Sequence, residues 1–162
     1  MSQEIIDIAI NYKRKVAGAF QSITVDDINS KIAGIELIVT TKIDGEYNLL
    51  CFDGIRSVLV NNGGKIKSEL PILDEITEIL KSKNVSSLKA IVELHTKSSD
   101  RCRVFDVMKA LSDDTSQLTI SAFDIVELNS EKYNEDDYTK KLSKLDELLD
   151  GKVVEQKILS KS

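Results

Sequence analysis

Early in the chain three short apolar runs follow one another, IELIVTTK, YNLLCFDG and SVLVNNGGK. Each meets a turn signal: Asp44-Gly45, Asp53-Gly54, then Asn61-Asn62-Gly63-Gly64. Runs this short, rich in Ile, Leu and Val and cut by Asp-Gly or Asn-Gly, read as strands joined by tight turns. This feature excludes an all-helical bundle. It predicts a meander of three antiparallel strands at the heart of the fold.

The segments around the meander alternate between helical and strand patterns. EIIDIAINYKRKVAGAF spaces Ile5, Ile6, Ala9, Tyr12 and Val16 as one helix face. Thr24 has the chemistry of an N-cap before the short helix VDDINSKI. Pro71 opens a helix with Ile72, Leu73, Ile76, Ile79 and Leu80 on its apolar stripe, and Asn84 ends it. LKAIVELHT is a strand, VFDVMKAL a short helix and LTISAFDIVEL a further strand. NEDDYTKKLSKLDELLD is an amphipathic helix closed by Gly151, and KVVEQKIL is a last strand. Helices alternate with strands, yet tight turns join the early strands. The fold class is therefore α+β with a largely antiparallel sheet and flanking helices, rather than a doubly wound parallel sheet.

At 162 residues the chain suits a single domain over residues 1–162. Charged residues make up 30% and the formal net charge is −5. Such a balance attracts no polyanion by itself, so any nucleic-acid contact requires a local basic patch. Lys13-Arg14-Lys15 and the pair Arg101 and Arg103 are the densest basic clusters, and both read as solvated surface. Cys51 and Cys102 lie far apart without metal-ligand spacing, which suits a reducing compartment; the expected location is cytoplasmic. No membrane contact is expected: IAGIELIV, among the longest apolar stretches, is short and carries a glutamate.

The functional question centres on Lys42, at the end of IELIVTTK and just before Asp44-Gly45. Strand alternation puts Ile38, Thr40 and Lys42 on one face and the more apolar Leu37, Val39 and Thr41 on the other. Backbone amides at such a turn can meet a phosphate. A lysine amine attacks phosphorus only when neutral, so it must be desolvated or lie near other cations. KxDG alone is weak, arising by chance in roughly a few per cent of chains of this length. Taken alone, Lys42 is a solvated strand-end lysine and Asp44-Gly45 a plain turn. Phe123 is equally a core aromatic. His95 shares a strand face with Glu93 but falls short of a metal site.

The ordered series KIDGEYNLLCFDG, SVLVNNGGKI, AIVELHT, LTISAFDIVEL and YTKKLSKLDELL resembles the nucleotidyltransferase (adenylation) domain of ATP-dependent DNA ligases. RNA ligases and mRNA capping enzymes are more distant likenesses. The resemblance covers about residues 30 to 160. It implies a partial ligase-type antiparallel fold and transfer of AMP from ATP to Lys42, with Mg2+ on the phosphates. The AMP would then pass to a DNA 5′-phosphate at a nick, in replication or repair. Asp44 and Gly45 match the rest of the signature. Glu93 matches a strand glutamate placed near the ribose or metal, which makes it the candidate metal ligand. Phe123 matches an aromatic that stacks on adenine, with Thr119, Ser121 and Glu127 on its strand face and Leu118, Ile120, Ala122, Val126 and Leu128 opposite.

The chain departs from the family pattern at three nucleotide-binding positions. Tyr47 and Asn61 stand where arginines are usual, and Thr40 where a glutamate reads the adenine amino group. Neither tyrosine nor asparagine replaces a permanent charge and a forked donor. In the family a Glu-Gly strand motif and a pair of lysines follow near the position of Ser162, and an oligonucleotide-binding barrel after them, so the chain is expected to be the N-terminal part of such a domain without the barrel, as either a fragment of a longer protein or a degenerate remnant. Two other readings stand beside the enzyme: an inactive ligase-like domain that binds nucleotide, nucleic acid or a protein partner, and an RNA ligase. Glu46 after the motif glycine is closer to the DNA ligase pattern.

Overall fold

The computed structural model describes residues 2–31, 34–98 and 101–159. In chain order come helices α1 (Ser2–Ala19) and α2 (Val25–Lys31), then strands β1 (Leu37–Thr40), β2 (Glu46–Phe52), β3 (Ser57–Asn61) and β4 (Ile66–Lys67). They are followed by α3 (Pro71–Ser82), β5 (Leu88–Thr96), α4 (Val104–Asp113), β6 (Leu118–Leu128), β7 (Glu131–Lys132), α5 (Tyr138–Leu149) and β8 (Gln156–Leu159). The α+β class with an antiparallel sheet is what the structure shows. Among the described residues no helix is long and apolar enough to cross a membrane.

Six strands form the central sheet in the order β4-β3-β2-β5-β6-β7, every pairing antiparallel. Local chemistry closes its hairpins. Asp53 Oδ1 accepts from the amides of Ile55 and Arg56 at 2.9 Å each, and Gly54 takes φ +93°. Asn61 Oδ1 accepts from the amides of Gly63 and Lys65 at 3.0 and 2.9 Å. Strand alternation then sorts the side chains. Leu50, Phe52, Leu88, Ala90, Val92 and Leu94 face one way, into a core shared with α3, α4 and α5. Tyr47, Leu49, Cys51 and Ile91 face the other way, against Ile5 and Ala9 of α1. The sheet is thus the middle of three layers, and its α1 face is the one that carries Glu93.

The expected three-stranded meander starts one strand later. It consists of β2, β3 and β4, and β1 does not join it. Instead β1 pairs antiparallel with β8 in a separate two-stranded sheet, from Leu37↔Leu159 to Thr40↔Gln156. The reason is that both edges of β2 are taken, one by β3 and the other by β5. Asp44-Gly45 is therefore a junction between two sheets, not a hairpin turn. Strand β1 stops at Thr40, so Lys42 lies beyond it and strand alternation does not govern its direction.

Two smaller corrections share one cause, which is tertiary contact overriding periodicity. Val16 is 46% exposed because α1 leaves the sheet beyond Tyr12. On α3, Thr77 is buried where Ile79 is only partly so, because its hydroxyl donates to Ser57 Oγ at 2.8 Å. The acids of NEDD precede α5 rather than open it; Asp137 is the cap and accepts from Thr139 N at 2.9 Å. Gly151, at φ +83°, is the expected residue just past the cap, and the cap Asp150 ahead of it is left-handed as well, at φ +49°. Thr24 does cap α2, accepting from Asp27 N at 3.2 Å, while Ile32 of the expected helix falls outside the described residues.

Candidate functional site

The site is built at the end of the sheet where the loop 41–45 crosses from β1 to β2. Gly45 makes that crossing possible: a Cβ there would stand 2.1 Å from the carbonyl oxygen of Leu94 on β5. No side chain fits such an approach, so the glycine is demanded by backbone contact rather than by a positive φ. The crossing hangs Lys42 and Asp44 over the ends of β5 and β6. Lys42 is 85% exposed in its side chain, and its ammonium donates to Asp44 Oδ1. Arg101, from the segment between β5 and α4, donates to Asp44 Oδ2 at 2.9 Å. Lys42 first and Arg101 second hold the Asp44 carboxyl below the usual carboxylate range.

Two clefts meet at this loop. One, of about 460 Å³, is lined by Lys13, Lys42, Asp44, Glu46, Tyr47 and Glu93. The other, of about 580 Å³, is lined by Lys42, Asp44, His95, Arg101, Ser121 and Glu155 among others. Lys42 and Asp44 form the rim between them.

In the first cleft the Glu93 carboxyl makes no hydrogen bond or ion pair with any described residue. Burial raises its proton affinity to about 7; Lys13 and Lys42 oppose that rise, while Asp44 and Glu46 add to it. Lys13 Nζ sits 5.0 Å from the centre of the Tyr47 ring, a cation–π contact. Tyr47 is only 7% exposed, its hydroxyl donates to Ala9 O at 2.9 Å, and its ring stacks on Tyr12 with centres 6.4 Å apart. Tyr12 in turn donates to Asp124 Oδ2 at 2.5 Å. Where an arginine is usual in the resembling family, this chain thus has a tyrosine that clamps α1 to the sheet.

Beneath the cleft lies a polar knot that sequence reasoning passed over. Glu46 accepts from Lys67 Nζ at 2.7 Å, Asn48 Nδ2 at 2.9 Å and Asn61 Nδ2 at 3.2 Å. Burial alone would raise the Glu46 carboxyl, but these hydrogen bonds outweigh it and hold it low. Asn48 is fully buried, and its Oδ1 finds no partner among the described residues. In the second cleft the His95 ring is fixed at both nitrogens. Nδ1 lies 3.0 Å from Thr96 O, which only accepts, so Nδ1 carries the proton and Nε2 accepts from Ser121 Oγ at 2.8 Å. Burial holds His95 below its usual value, which keeps this neutral tautomer.

Of the residues singled out in the sequence, Lys42, Asp44, Gly45, Tyr47 and Glu93 share the first cleft. Thr40 is engaged with Gln156 in the β1–β8 ladder. Asn61 is spent on its own turn and on Glu46, while its neighbour Asn62 lines the cleft. Phe123 is half-buried and packs against the hydrophobic clusters on both sides of the sheet, outside the two clefts. Register against β5 slips twice along this part of β6, between Val92↔Ala122 and Ile91↔Asp124 and again between Ala90↔Ile125 and Lys89↔Glu127. Phe123 and Val126 are the extra residues. This corrects the expected alternation: Val126 packs on the α1 side with Phe123 and not opposite it.

Sequence reasoning missed Lys13, Arg101 and Glu46. Lys13 and Arg101 were indistinguishable from solvated charge. The lone signal for Glu46 was its place directly after Gly45.

No protein-family description matches the sequence, and neither does any curated protein. Solved structures do match. A mycobacterial DNA ligase D, determined with ATP and MES, superposes with a TM-score of 0.58 at 21% identity, over 75% of this chain and 40% of its own. A protein named Pmar-Lig_Pre gives 0.57 at 18% identity, over 91% and 39%. The ligase domain of LigD from M. tuberculosis gives 0.51 at 16% identity, over 78% and 42%. The chain therefore spans about two fifths of the length of each. At these identities the likeness is one of fold. The chain shares, in a divergent form, the fold of these DNA ligase structures.

Proposed function

We propose that this chain is a ligase-type nucleotidyltransferase module that takes AMP from ATP onto Lys42 and delivers it to a DNA 5′-phosphate at a nick. The observation that carries the reading is the convergence of Lys42, Asp44, Gly45 and Glu93 on one cleft at the sheet end of a ligase-type fold. In the first step neutral Nζ attacks the α-phosphorus. The N–P bond forms, the bond from that phosphorus to the bridging oxygen breaks, pyrophosphate leaves, and the amine gives up its proton to solvent. Asp44 holds Nζ at the rim before the nucleotide enters. Glu93 faces the same cleft and offers its carboxylate to the ribose or to a divalent ion.

The donor set bears on the metal. Among the described residues no three His, Cys, Asp or Glu side chains gather as a metal cluster. Asp44 and Glu46 are already ion-paired, so Glu93 is the carboxylate that would meet Mg2+, with nucleotide oxygens as the other ligands. Bound there, the ion would neutralise the triphosphate and the leaving pyrophosphate.

The experiment is incubation with α-labelled ATP and Mg2+, followed by denaturation. The expected result is acid-labile label on the wild type and none on Lys42→Ala. Label that survives in Lys42→Ala would overturn the assignment.

A second reading, nucleotide binding without chemistry, is favoured by one observation. The Lys42 side chain is 85% exposed and ion-paired with Asp44, whereas an attacking lysine needs a desolvated setting. ATP binding by calorimetry with no covalent label would decide for it.

A further inference from the structure

We propose that Asn62, at the first cleft, is a site of spontaneous deamidation whose rate is set by the side chain of Asn61. Asn62 is the one asparagine in the sequence that is followed by glycine. Glycine leaves its own main-chain nitrogen unshielded by a side chain, and that nitrogen lies within reach of the preceding side-chain amide. Asn62 and Gly63 are both exposed. The Asn62 carboxamide makes no hydrogen bond to any described residue, and it lines the cleft that also holds Lys13 and Glu93. Other asparagines are held back. Asn48 is fully buried, and Asn129 Oδ1 accepts from Ser86 N and Ser86 Oγ at 2.9 and 3.0 Å.

The chemistry needs no reagent but water. The Gly63 nitrogen gives its proton to solvent and bonds to Asn62 Cγ. The bond from Cγ to the side-chain nitrogen breaks, ammonia leaves, and a cyclic succinimide remains. Water then opens one of the two carbonyl bonds to the ring nitrogen, leaving aspartate or isoaspartate at position 62. Either product adds a negative charge to the cleft that holds Glu93. Isoaspartate also lengthens the main chain in the turn between β3 and β4, just ahead of Lys67. The fold resists the attack at one atom. Gly63 N donates to Asn61 Oδ1 at 3.0 Å, and the same oxygen takes the Lys65 amide at 2.9 Å. Gly64 N donates to Asn61 O at 3.0 Å, which closes the turn around Asn62. A nitrogen that keeps its proton in a hydrogen bond is a poor nucleophile. Asn61 is itself tied to the polar knot, since its Nδ2 donates to Glu46 Oε1 at 3.2 Å. The proposal does not rest on nucleotidyl transfer.

The test ages the full chain in mildly alkaline buffer without nucleotide. Ion exchange then resolves the added charge, and mass spectrometry of the digest reads the peptide that holds position 62. Wild type forms aspartate and isoaspartate at 62 ahead of every other asparagine. Asn61→Ala does so about fivefold faster, the factor that loss of one hydrogen bond implies. Asn62→Gln removes the early charge gain. Short unfolded peptides with the wild-type and the Asn61→Ala sequences age at one rate, which separates the clamp from the effect of sequence. Circular dichroism checks that the variant folds. Should it not, the comparison is folded wild type against its own peptide, which ages about fivefold faster. A charge gain that appears first at another asparagine would overturn the site. A folded Asn61→Ala chain that ages at the wild-type rate would overturn the role of Asn61.

Discussion

At the scale of single residues, Gly45 and Glu93 decide most. A methyl group at position 45 would have to displace the Leu94 carbonyl, which lies in the ladder between β2 and β5. Gly45→Ala is expected to cost about 1–3 kcal/mol in urea unfolding, because main chain cannot yield as a flexible side chain does. Glu93 sets a pH dependence. Its folded-state pKa of about 7 lies above the ordinary 4.5, so the folded protein holds a proton that the unfolded chain releases between those values. Stability therefore falls as pH rises from 4.5 to 7 and levels off beyond. Glu93→Gln should remove this dependence. The variant should be more stable than wild type above pH 7, by on the order of 1 kcal/mol once partial exposure is allowed for, and equal to it below pH 4.5. Melting curves across that range check it. Lys42 and Asp44 were legible in the sequence as types and spacing. Arg101 was not, since it joins them through space from a segment 57 residues beyond Asp44, past β2, β3, β4 and β5.

Between elements, ionic and aromatic contacts do what short strands cannot. β4 has two residues and little ladder of its own. Lys67 on β4 reaches across β3 to Glu46 on β2, and the pair is 8% and 12% exposed. Removing one partner leaves a buried charge, so Lys67→Met should lower stability by about 3 kcal/mol. The double variant Lys67→Met with Glu46→Gln should recover most of that loss, which a denaturant series would show. Helix α1 is held similarly, by Tyr47 to Ala9 and by Tyr12 to Asp124. The helix itself followed from the spacing of Ile5, Ala9 and Tyr12. That its partner would be the Glu93 face of the sheet did not, because periodicity names a buried stripe without naming what buries it.

Across the whole molecule the two sheets differ in kind. The central sheet is covered on both faces by helices, whereas β1 and β8 form a pair of four residues each, with Ile38, Val39, Ile158 and Leu159 at 38–50% exposure. A two-stranded sheet is marginal on its own. Amides in β1 and β8 should exchange with solvent roughly 100-fold faster than those of β5, and hydrogen exchange with mass spectrometry would measure it. The rim carrying Lys42 and Asp44 thus hangs between a rigid platform and a loose flap.

What the amino-acid order by itself determined was local: where strands and helices run, which residues cap them, and that a lysine, an aspartate and a glycine stand together at positions 42, 44 and 45. Periodicity, turn chemistry and spacing are short-range properties, and they are written along the chain. Only the tertiary structure decided that β1 would leave β2 for β8, and that a slip in register would turn Phe123 into the packing between two cores. It also brought Arg101 and Lys13 to the two sides of the lysine. Those outcomes depend on which edge is already taken and which charge lies nearest in space, and neither is a property of neighbouring residues.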